Sequence, residues 1–286
     1  MTEFAIAGCQ VTWGPGDNLE AMRREIALTK LRFPWVEMIL FGELVTFGSF
    51  PNGAVPLPGP VEEKYRAMAR EHRIWLIPGS LYEKAGDLVY NTTPVIDPDG
   101  NVVCRYRKIY PYMPFEDGVA SGTECMVFDV PGVGRFGLSI CYDMWFPETT
   151  RQLVAMGAEV ILHPTMTNTI DREVELTVAR ASAVMFQSYF FDVNSAGGLL
   201  GYGRSLILGP DGDIIHRAGN AKEIMPIVVD LERVRRSRRR GSLGLGQPVK
   251  SFRDTKVAFP YYTEGPSSPY LDSLGPLTMP KTMRDA

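Results

Sequence analysis

Gly137-Leu138-Ser139-Ile140-Cys141-Tyr142-Asp143-Met144-Trp145-Phe146-Pro147-Glu148 is the stretch from which the fold can be read. The apolar run from Arg135 to Ile140 predicts a strand that delivers Cys141 to a turn. Pro147 then opens a helical stretch that runs through Met156. A thiol at a strand-to-helix turn is presented at the end of a sheet. Backbone N–H groups there can stabilise a thiolate or an oxyanion. A lone cysteine is more often a small buried hydrophobe. The reading therefore depends on what else the chain brings to its strand ends.

Two further strands end in a reactive side chain. The run Trp35-Val36-Glu37-Met38-Ile39-Leu40-Phe41 predicts a buried strand, and Gly42-Glu43 ends it. A carboxylate just past an apolar strand sits at the rim of a sheet, where sites form in α/β architectures. Val102-Val103-Cys104-Arg105-Tyr106-Arg107 predicts another strand, ended by Lys108 and followed by Ile109-Tyr110-Pro111-Tyr112. Taken singly, a Glu or a Lys is usually a solvated surface charge. Three different reactive groups, each at its own strand end, make that reading less apt for the set.

These segments, Arg107-Lys108-Ile109, Cys141-Tyr142-Asp143 with Phe146-Pro147-Glu148, and the strand ending in Glu43, resemble the nitrilase superfamily of carbon–nitrogen hydrolases. The resemblance covers most of the chain. It begins at Ala5-Ile6-Ala7-Gly8-Cys9-Gln10-Val11 and Gly16-Asp17-Asn18-Leu19. It continues through Arg180-Ala181-Ser182-Ala183, Val193-Asn194, Gly203-Arg204-Ser205 and Gly209-Pro210-Asp211-Gly212. It implies a Glu43–Lys108–Cys141 triad. It also implies that Glu116, in the loop Pro111-Tyr112-Met113-Pro114-Phe115-Glu116-Asp117-Gly118, is the second glutamate of amidase-like members, positioning the amide and assisting proton movement. Asp117 beside it is the candidate for a solvated loop acid. One departure is Gly42, where many members carry proline.

Amide hydrolysis needs these residue types together. A free thiol is mostly protonated at neutral pH, so Cys141 needs a base. Glu43 is expected to take its proton and pass it to the departing ammonia, with a carboxyl pKa raised by burial and by Glu116. Lys108 and the Tyr142 backbone N–H are expected to hold the oxyanion. The resulting Cys141 thioester is then hydrolysed by a water that Glu43 activates.

Helical patterns appear at 18–32, 61–73, 147–156 and 171–187, with strands at 4–11, 75–78, 88–96, 158–162, 189–194, 205–208 and 224–230. Two hairpins echo each other, with turns at Pro98-Asp99-Gly100 and Pro210-Asp211-Gly212. The echo suggests two related halves, each a sheet covered by helices. That is the form of the superfamily's four-layer αββα sandwich, the α/β fold class adopted here. The hydrolase domain is expected over residues 1–240, with residues 241–286 as an extended C-terminal tail packing on the domain or on a partner subunit. Superfamily members are commonly oligomers, which implies a homodimer or a higher homo-oligomer.

Composition narrows the class. The chain has 286 residues, 45% hydrophobic and 22% charged, with a net charge of −3, so nothing in it argues for nucleic acid or a membrane as partner. No basic-then-apolar leader and no span of roughly 20 apolar residues is evident, which reads as cytoplasmic. Cys9, Cys104, Cys125 and Cys141 have no paired spacing, and His72, His163 and His216 form no metal motif, so neither metal nor cofactor is expected. The basic run Arg233-Val234-Arg235-Arg236-Ser237-Arg238-Arg239-Arg240 reads as a solvated or subunit-pairing helix rather than a nucleic-acid patch.

Candidate pocket residues are Phe47, Tyr112, Tyr142, Trp145, His163 and Thr165. An aromatic rim favours a small, mostly apolar acyl group. Arg172 is a possible partner for a substrate carboxylate, which keeps carbamoyl amino acids open. The leading expectation is an amidase that converts a small carboxamide to acid and ammonia. A nitrilase, an N-carbamoyl amide hydrolase and a non-catalytic scaffold are the alternatives.

Overall fold

The computed structural model describes residues 2–278 except 15 and 199. In chain order the strands are β1 (Glu3–Gln10), β2 (Met38–Phe41), β3 (Trp75–Ile77), β4 (Leu81–Ala85), β5 (Leu88–Ile96), β6 (Val102–Arg107), β7 (Met126–Val130), β8 (Gly134–Leu138), β9 (Val160–Pro164), β10 (Tyr189–Val193), β11 (Leu206–Leu208), β12 (Ile214–Arg217) and β13 (Glu223–Asp230). The helices are α1 (Leu19–Arg32), α2 (Pro60–His72), α3 (Pro147–Ala155), α4 (Arg172–Phe186), α5 (Leu231–Arg240), α6 (Pro248–Asp254), α7 (Pro260–Thr263) and α8 (Pro269–Asp272).

One sheet has the order β13-β1-β2-β3-β5-β4 with β6 also on β5, and the other has β12-β11-β10-β9-β8-β7. β1, β2 and β3 are parallel neighbours, as are β8, β9 and β10. Such strands are covered on both faces, so they read as continuous apolar runs. β2 and β9 are buried at every residue.

Three apolar layers hold the elements together. Phe4, Ile6, Met38 and Leu40 of one sheet meet Phe136, Leu138, Leu162 and Phe191 of the other. Leu19, Met22, Ile26, Tyr65 and Met68 of α1 and α2 cover the outer face of the first sheet. Leu153, Leu176, Ala179 and Ala183 of α3 and α4 cover the second. This is the expected four-layer αββα sandwich.

The two echoed hairpins are β5–β6 and β11–β12. Each carries a register shift next to its turn, at Val95/Ile96 and at Ile207/Leu208. Gly100 (φ 80°) and Gly212 (φ 77°) supply the left-handed turn residue in each. The strand expected from Trp35 begins only at Met38. Phe33 to Val36 instead closes a turn, with the Val36 N–H on the Phe33 carbonyl at 3.0 Å and Trp35 47% exposed.

The basic run forms α5, and its arginines serve as staples. Arg235 binds Glu159 at 2.7 Å, and Arg233 binds Asp211 and Asp213. Arg238 donates to the carbonyls of Gln187 and Ala158. Beyond α5 the chain makes short helices over the outside of α3 and α4. There the Arg151 guanidinium lies between the rings of Phe186 (5.1 Å) and Phe252 (3.9 Å). Tail side chains such as Tyr270, Leu274 and Leu277 remain 72%, 65% and 73% exposed. Residues 279–286 of the expected extension lie outside the described residues. None of the described helices is long and apolar enough to cross a membrane.

Candidate active site

Three segments deliver the site to one end of the sandwich. Glu43 follows β2 through Gly42. A Cβ on Gly42 would lie 3.1 Å from the Thr165 carbonyl and 3.2 Å from that of Val193, so the bare backbone lets the two sheets approach there. The Glu43 N–H then bonds that same Thr165 carbonyl at 3.1 Å, which joins the rim of one sheet to the other. Lys108 follows β6 and is held by backbone bonds to Asn91 and Gly122 at 2.8 and 2.7 Å. Cys141 opens a 3-10 turn (Cys141–Trp145) after β8, with φ at 45°. A non-glycine residue seldom occupies that region, so neighbouring bonds must hold the turn.

The side chains converge. Lys108 Nζ donates to Glu43 Oε1 at 2.9 Å and to Glu116 Oε2 at 2.7 Å. Asn91 Nδ2 donates to Glu43 Oε1 at 2.8 Å and to Glu116 Oε1 at 3.1 Å. Glu116 also accepts from the Tyr82 hydroxyl at 3.1 Å and from the Tyr112 N–H at 2.6 Å. The Cys141 thiol lies within electrostatic reach of Glu43, Lys108 and Thr165. Lys108, Glu43, Glu116 and Cys141 are 1%, 2%, 8% and 8% exposed, so their charges interact with little water between them.

The two carboxylates are not equivalent. Burial raises the Glu43 pKa, and the negative charge of Glu116 adds to this against the pull of Lys108. Burial acts the same way on Glu116. There Lys108, the Tyr112 N–H and Asn91 outweigh it and bring the pKa below the ordinary value. Burial opposes the Lys108 charge, but Glu43, Cys141 and Glu116 hold its pKa well above normal. Burial and Glu43 push the Cys141 thiol well up, so it rests protonated. The arrangement is a neutral thiol beside a basic carboxylate, with a fixed ammonium and an ionised second carboxylate behind. Environments that push two carboxylates apart assign them different roles.

Of the pocket residues named from sequence, Tyr112, Tyr142 and Trp145 form an aromatic rim. The Tyr112 and Tyr142 rings are 4.9 Å apart, and those of Tyr142 and Trp145 are 6.2 Å apart. Tyr112 and Trp145 are 38% and 37% exposed, so this rim faces outward. Thr165 is buried against the thiol. Phe47 packs on the core between the first sheet and its helices. Glu116 is buried and Asp117 exposed, which decides between those neighbours.

Two residues need correction. His163 does not face the acyl pocket. It shares the face of β9 with Ile161, on the side toward α4, bonds Ser139 at 3.0 Å and packs 5.2 Å from Phe190. Burial and nearby Arg172 lower its pKa to about 3, so it is neutral. Arg172 is not available to a substrate carboxylate. It is 1% exposed and donates to Asp192 at 2.7 Å, to Glu175 at 3.1 Å and to the Arg204 carbonyl at 3.0 Å. Thr167 also donates to Glu175, at 2.6 Å, and burial raises the Glu175 pKa to about 7.

Asn91 and Tyr82 were missed from sequence. Asn91 is a fully buried amide in the middle of β5, and a lone Asn inside an apolar strand is the signal that could have found it. Tyr82 carries no such signal, because tyrosine is an ordinary strand residue.

The carbon-nitrogen hydrolase family profile matches residues 5–239. The chain is 32% identical over 194 residues to the deaminated glutathione amidase of Dictyostelium discoideum, covering 61% of this chain and 66% of the relative, just under two thirds of that relative's length. It is 30% identical over 200 residues to omega-amidase NIT2 of Homo sapiens, covering 65% of this chain and 72% of that protein. Among solved structures, it is similar to an amidase variant from Nesterenkonia sp. AN1, in which the acetamide moiety of fluoroacetamide is covalently added at the active-site cysteine. That match has a TM-score of 0.73 and 25% identity, and covers 82% of this chain and 94% of the other. The chain belongs to the carbon–nitrogen hydrolase family.

Proposed function

We propose that this carbon–nitrogen hydrolase is an amidase that cleaves a small carboxamide to a carboxylic acid and ammonia through a Cys141 thioester. The observation that carries the reading is the buried convergence of Cys141, Glu43, Lys108 and Glu116, with the Lys108 ammonium hydrogen-bonded to both glutamates. Glu43 takes the thiol proton as Cys141 Sγ attacks the amide carbon. Lys108 and the Tyr142 N–H receive the charge that develops on the carbonyl oxygen. Glu43 returns the proton to the nitrogen, the C–N bond breaks and ammonia leaves. Water then gives a proton to Glu43 as its oxygen attacks the thioester, and collapse releases the acid and restores the thiol. Glu116, ionised throughout, anchors Lys108 and orients the substrate amide rather than carrying the proton.

Relatives named as amidases support amide over nitrile. The burial of Arg172 and its ion pairs with Asp192 and Glu175 speak against a carbamoyl amino acid carboxylate as its partner. The aromatic rim favours a short, mostly apolar acyl group. Ammonia release from matched amides, nitriles and N-carbamoyl compounds, with Cys141→Ala alongside, tests this reading. Fastest release from an amide and a silent variant support it, and turnover of only nitriles or carbamoyl compounds refutes the substrate class.

The apolar side chains exposed along the tail support a homo-oligomer in which a second copy covers it. Sedimentation of the full chain tests this, and a monomer at micromolar concentration refutes it.

A further inference from the structure

We propose that Asp143 is a positioning residue that sets the spacing between Lys108 and Cys141, an inference that rests on the amidase reading of the site. Asp143 is fully buried and lies two residues beyond the thiol in the 3-10 turn. Its Oδ2 accepts the Ile140 N–H at 2.9 Å and the Tyr106 hydroxyl at 2.7 Å. Its Oδ1 accepts the Tyr110 N–H at 2.9 Å. Ile140 immediately precedes the nucleophile, and Tyr106 and Tyr110 stand two residues either side of Lys108. One carboxylate therefore grips the segment that carries the thiol and the segment that carries the ammonium.

Those segments belong to different sheets. Lys108 follows β6 of the first and Cys141 follows β8 of the second. Among the described residues the two sheets are joined near the site by single backbone bonds, such as the Glu43 N–H to the Thr165 carbonyl, rather than by paired strands, so side-chain bonds also help set the spacing of Lys108 and Cys141. The Cys141 backbone, at φ 45°, also needs an anchor. Asp143 supplies one by taking the N–H of the residue before the thiol while its own N–H returns to the Ile140 carbonyl at 3.0 Å. Thr149 Oγ1, at the start of α3, bonds the Asp143 carbonyl at 2.8 Å and fixes the far side of the turn.

The chemistry of the contact is specific to a carboxylate. Two acceptor oxygens meet three donors, and the ionised side chain brings no donor of its own. Asparagine would turn an NH₂ toward at least one N–H or O–H, setting donor against donor. Glutamate would push the carboxylate one methylene further into a buried site. A displacement of about 1 Å in a reacting group costs on the order of 10²-fold in rate.

The test uses Asp143→Asn, Asp143→Glu and Tyr106→Phe in the full chain. Readouts are kcat and KM on the best amide, the rate of Cys141 alkylation by iodoacetamide, and thermal midpoint. Asp143→Asn is expected to lower kcat by about 10²-fold, with KM changed only a few-fold and alkylation of Cys141 altered, and Asp143→Glu is expected not to rescue it. Tyr106→Phe removes one of the three bonds and is expected to lower kcat about ten-fold in the same pattern. A folded Asp143→Asn protein with wild-type kcat and a lowered thermal midpoint overturns the proposal, leaving a purely structural residue. If Asp143→Asn does not fold, Tyr106→Phe decides: unchanged kcat and alkylation overturn the proposal. Cys141→Ala separates the two claims, because turnover that survives it refutes the amidase reading whatever Asp143 does.

Discussion

Two buried clusters in this molecule have the same charge count and different uses. Lys108 sits between Glu43 and Glu116, and Arg172 sits between Asp192 and Glu175. Each is one cation with two carboxylates, almost wholly out of water. In the first, the cation is an ammonium on a flexible stem, and its partners come from separate loops at the sheet rim. In the second, it is a planar guanidinium whose donors go to α4, β10 and the Arg204 carbonyl. An ammonium with three rotatable donors can follow charge as it moves to an oxyanion, whereas the fork of an arginine is committed by geometry. Among the described residues, the first cluster has a buried thiol beside one of its carboxylates, Cys141 next to Glu43. The lesson is that burial and charge do not by themselves mark a site. What marks it is an ionised network at the sheet rim beside a nucleophile.

The largest effects should separate the clusters cleanly. Glu43→Gln is expected to lower kcat by about 10³–10⁴-fold with the fold intact, measured by ammonia release and near-ultraviolet circular dichroism. Arg172→Met leaves Asp192 and Glu175 buried without their cation, and is expected to cost about 3–5 kcal/mol of stability in urea unfolding. Its kcat per folded molecule should stay within a few-fold of wild type. An Arg172→Met protein of normal stability but without turnover would break the comparison.

Glu116→Gln should have an intermediate effect. As a base, Glu43 must be ionised, so kcat/KM is lost as pH falls through its raised pKa, and the acid limb should lie above 4.5. Glu116 contributes to that raise, so Glu116→Gln should move the limb to lower pH while slowing turnover. A limb that stays in place would remove Glu43 as its source.

Glu175→Gln should act chiefly on stability, with a lesser effect through the loss of its charge near Cys141. The Glu175 pKa is raised from 4.5 to about 7, so its contribution to folding is present below pH 4.5 and is lost as pH rises toward 7. Replacing it should flatten that decline, read as the difference between wild-type and variant urea midpoints across this range. The smallest effect is expected at Gly42, where the clusters' supporting strands meet. Gly42→Ala sets a methyl 3.1 Å from the Thr165 carbonyl, and should cost about 1–3 kcal/mol without moving the acid limb.

Much of this was legible from sequence, for physical reasons. α1, α2, α3 and α4 were expected within one or two residues, and Pro147 marks the start of α3. β5 and β6 were expected with their observed bounds, because the Pro-Asp-Gly turn fixes where they must part. β4 and β7 were not singled out: each is five residues long, mixing exposed or half-exposed positions with buried ones. Within the site, Glu43, Lys108 and Cys141 announced themselves as reactive groups at strand ends. Asn91 and Tyr82 did not, because their importance comes from pairing across the first sheet, and Tyr82 and Asn91 face each other directly in the β4–β5 register. His163 misled because a strand end adjacent to the site does not reveal which face of the sheet its ring occupies.

The central claim is that Cys141 carries the acyl group. The direct measurement is intact-protein and peptide mass spectrometry of the enzyme quenched in acid during turnover of its best amide. The account predicts an adduct of the acyl mass on the Cys141 peptide, removed by hydroxylamine and missing from Cys141→Ala. An adduct on Cys9, Cys104 or Cys125, or continued turnover by Cys141→Ala, would contradict it.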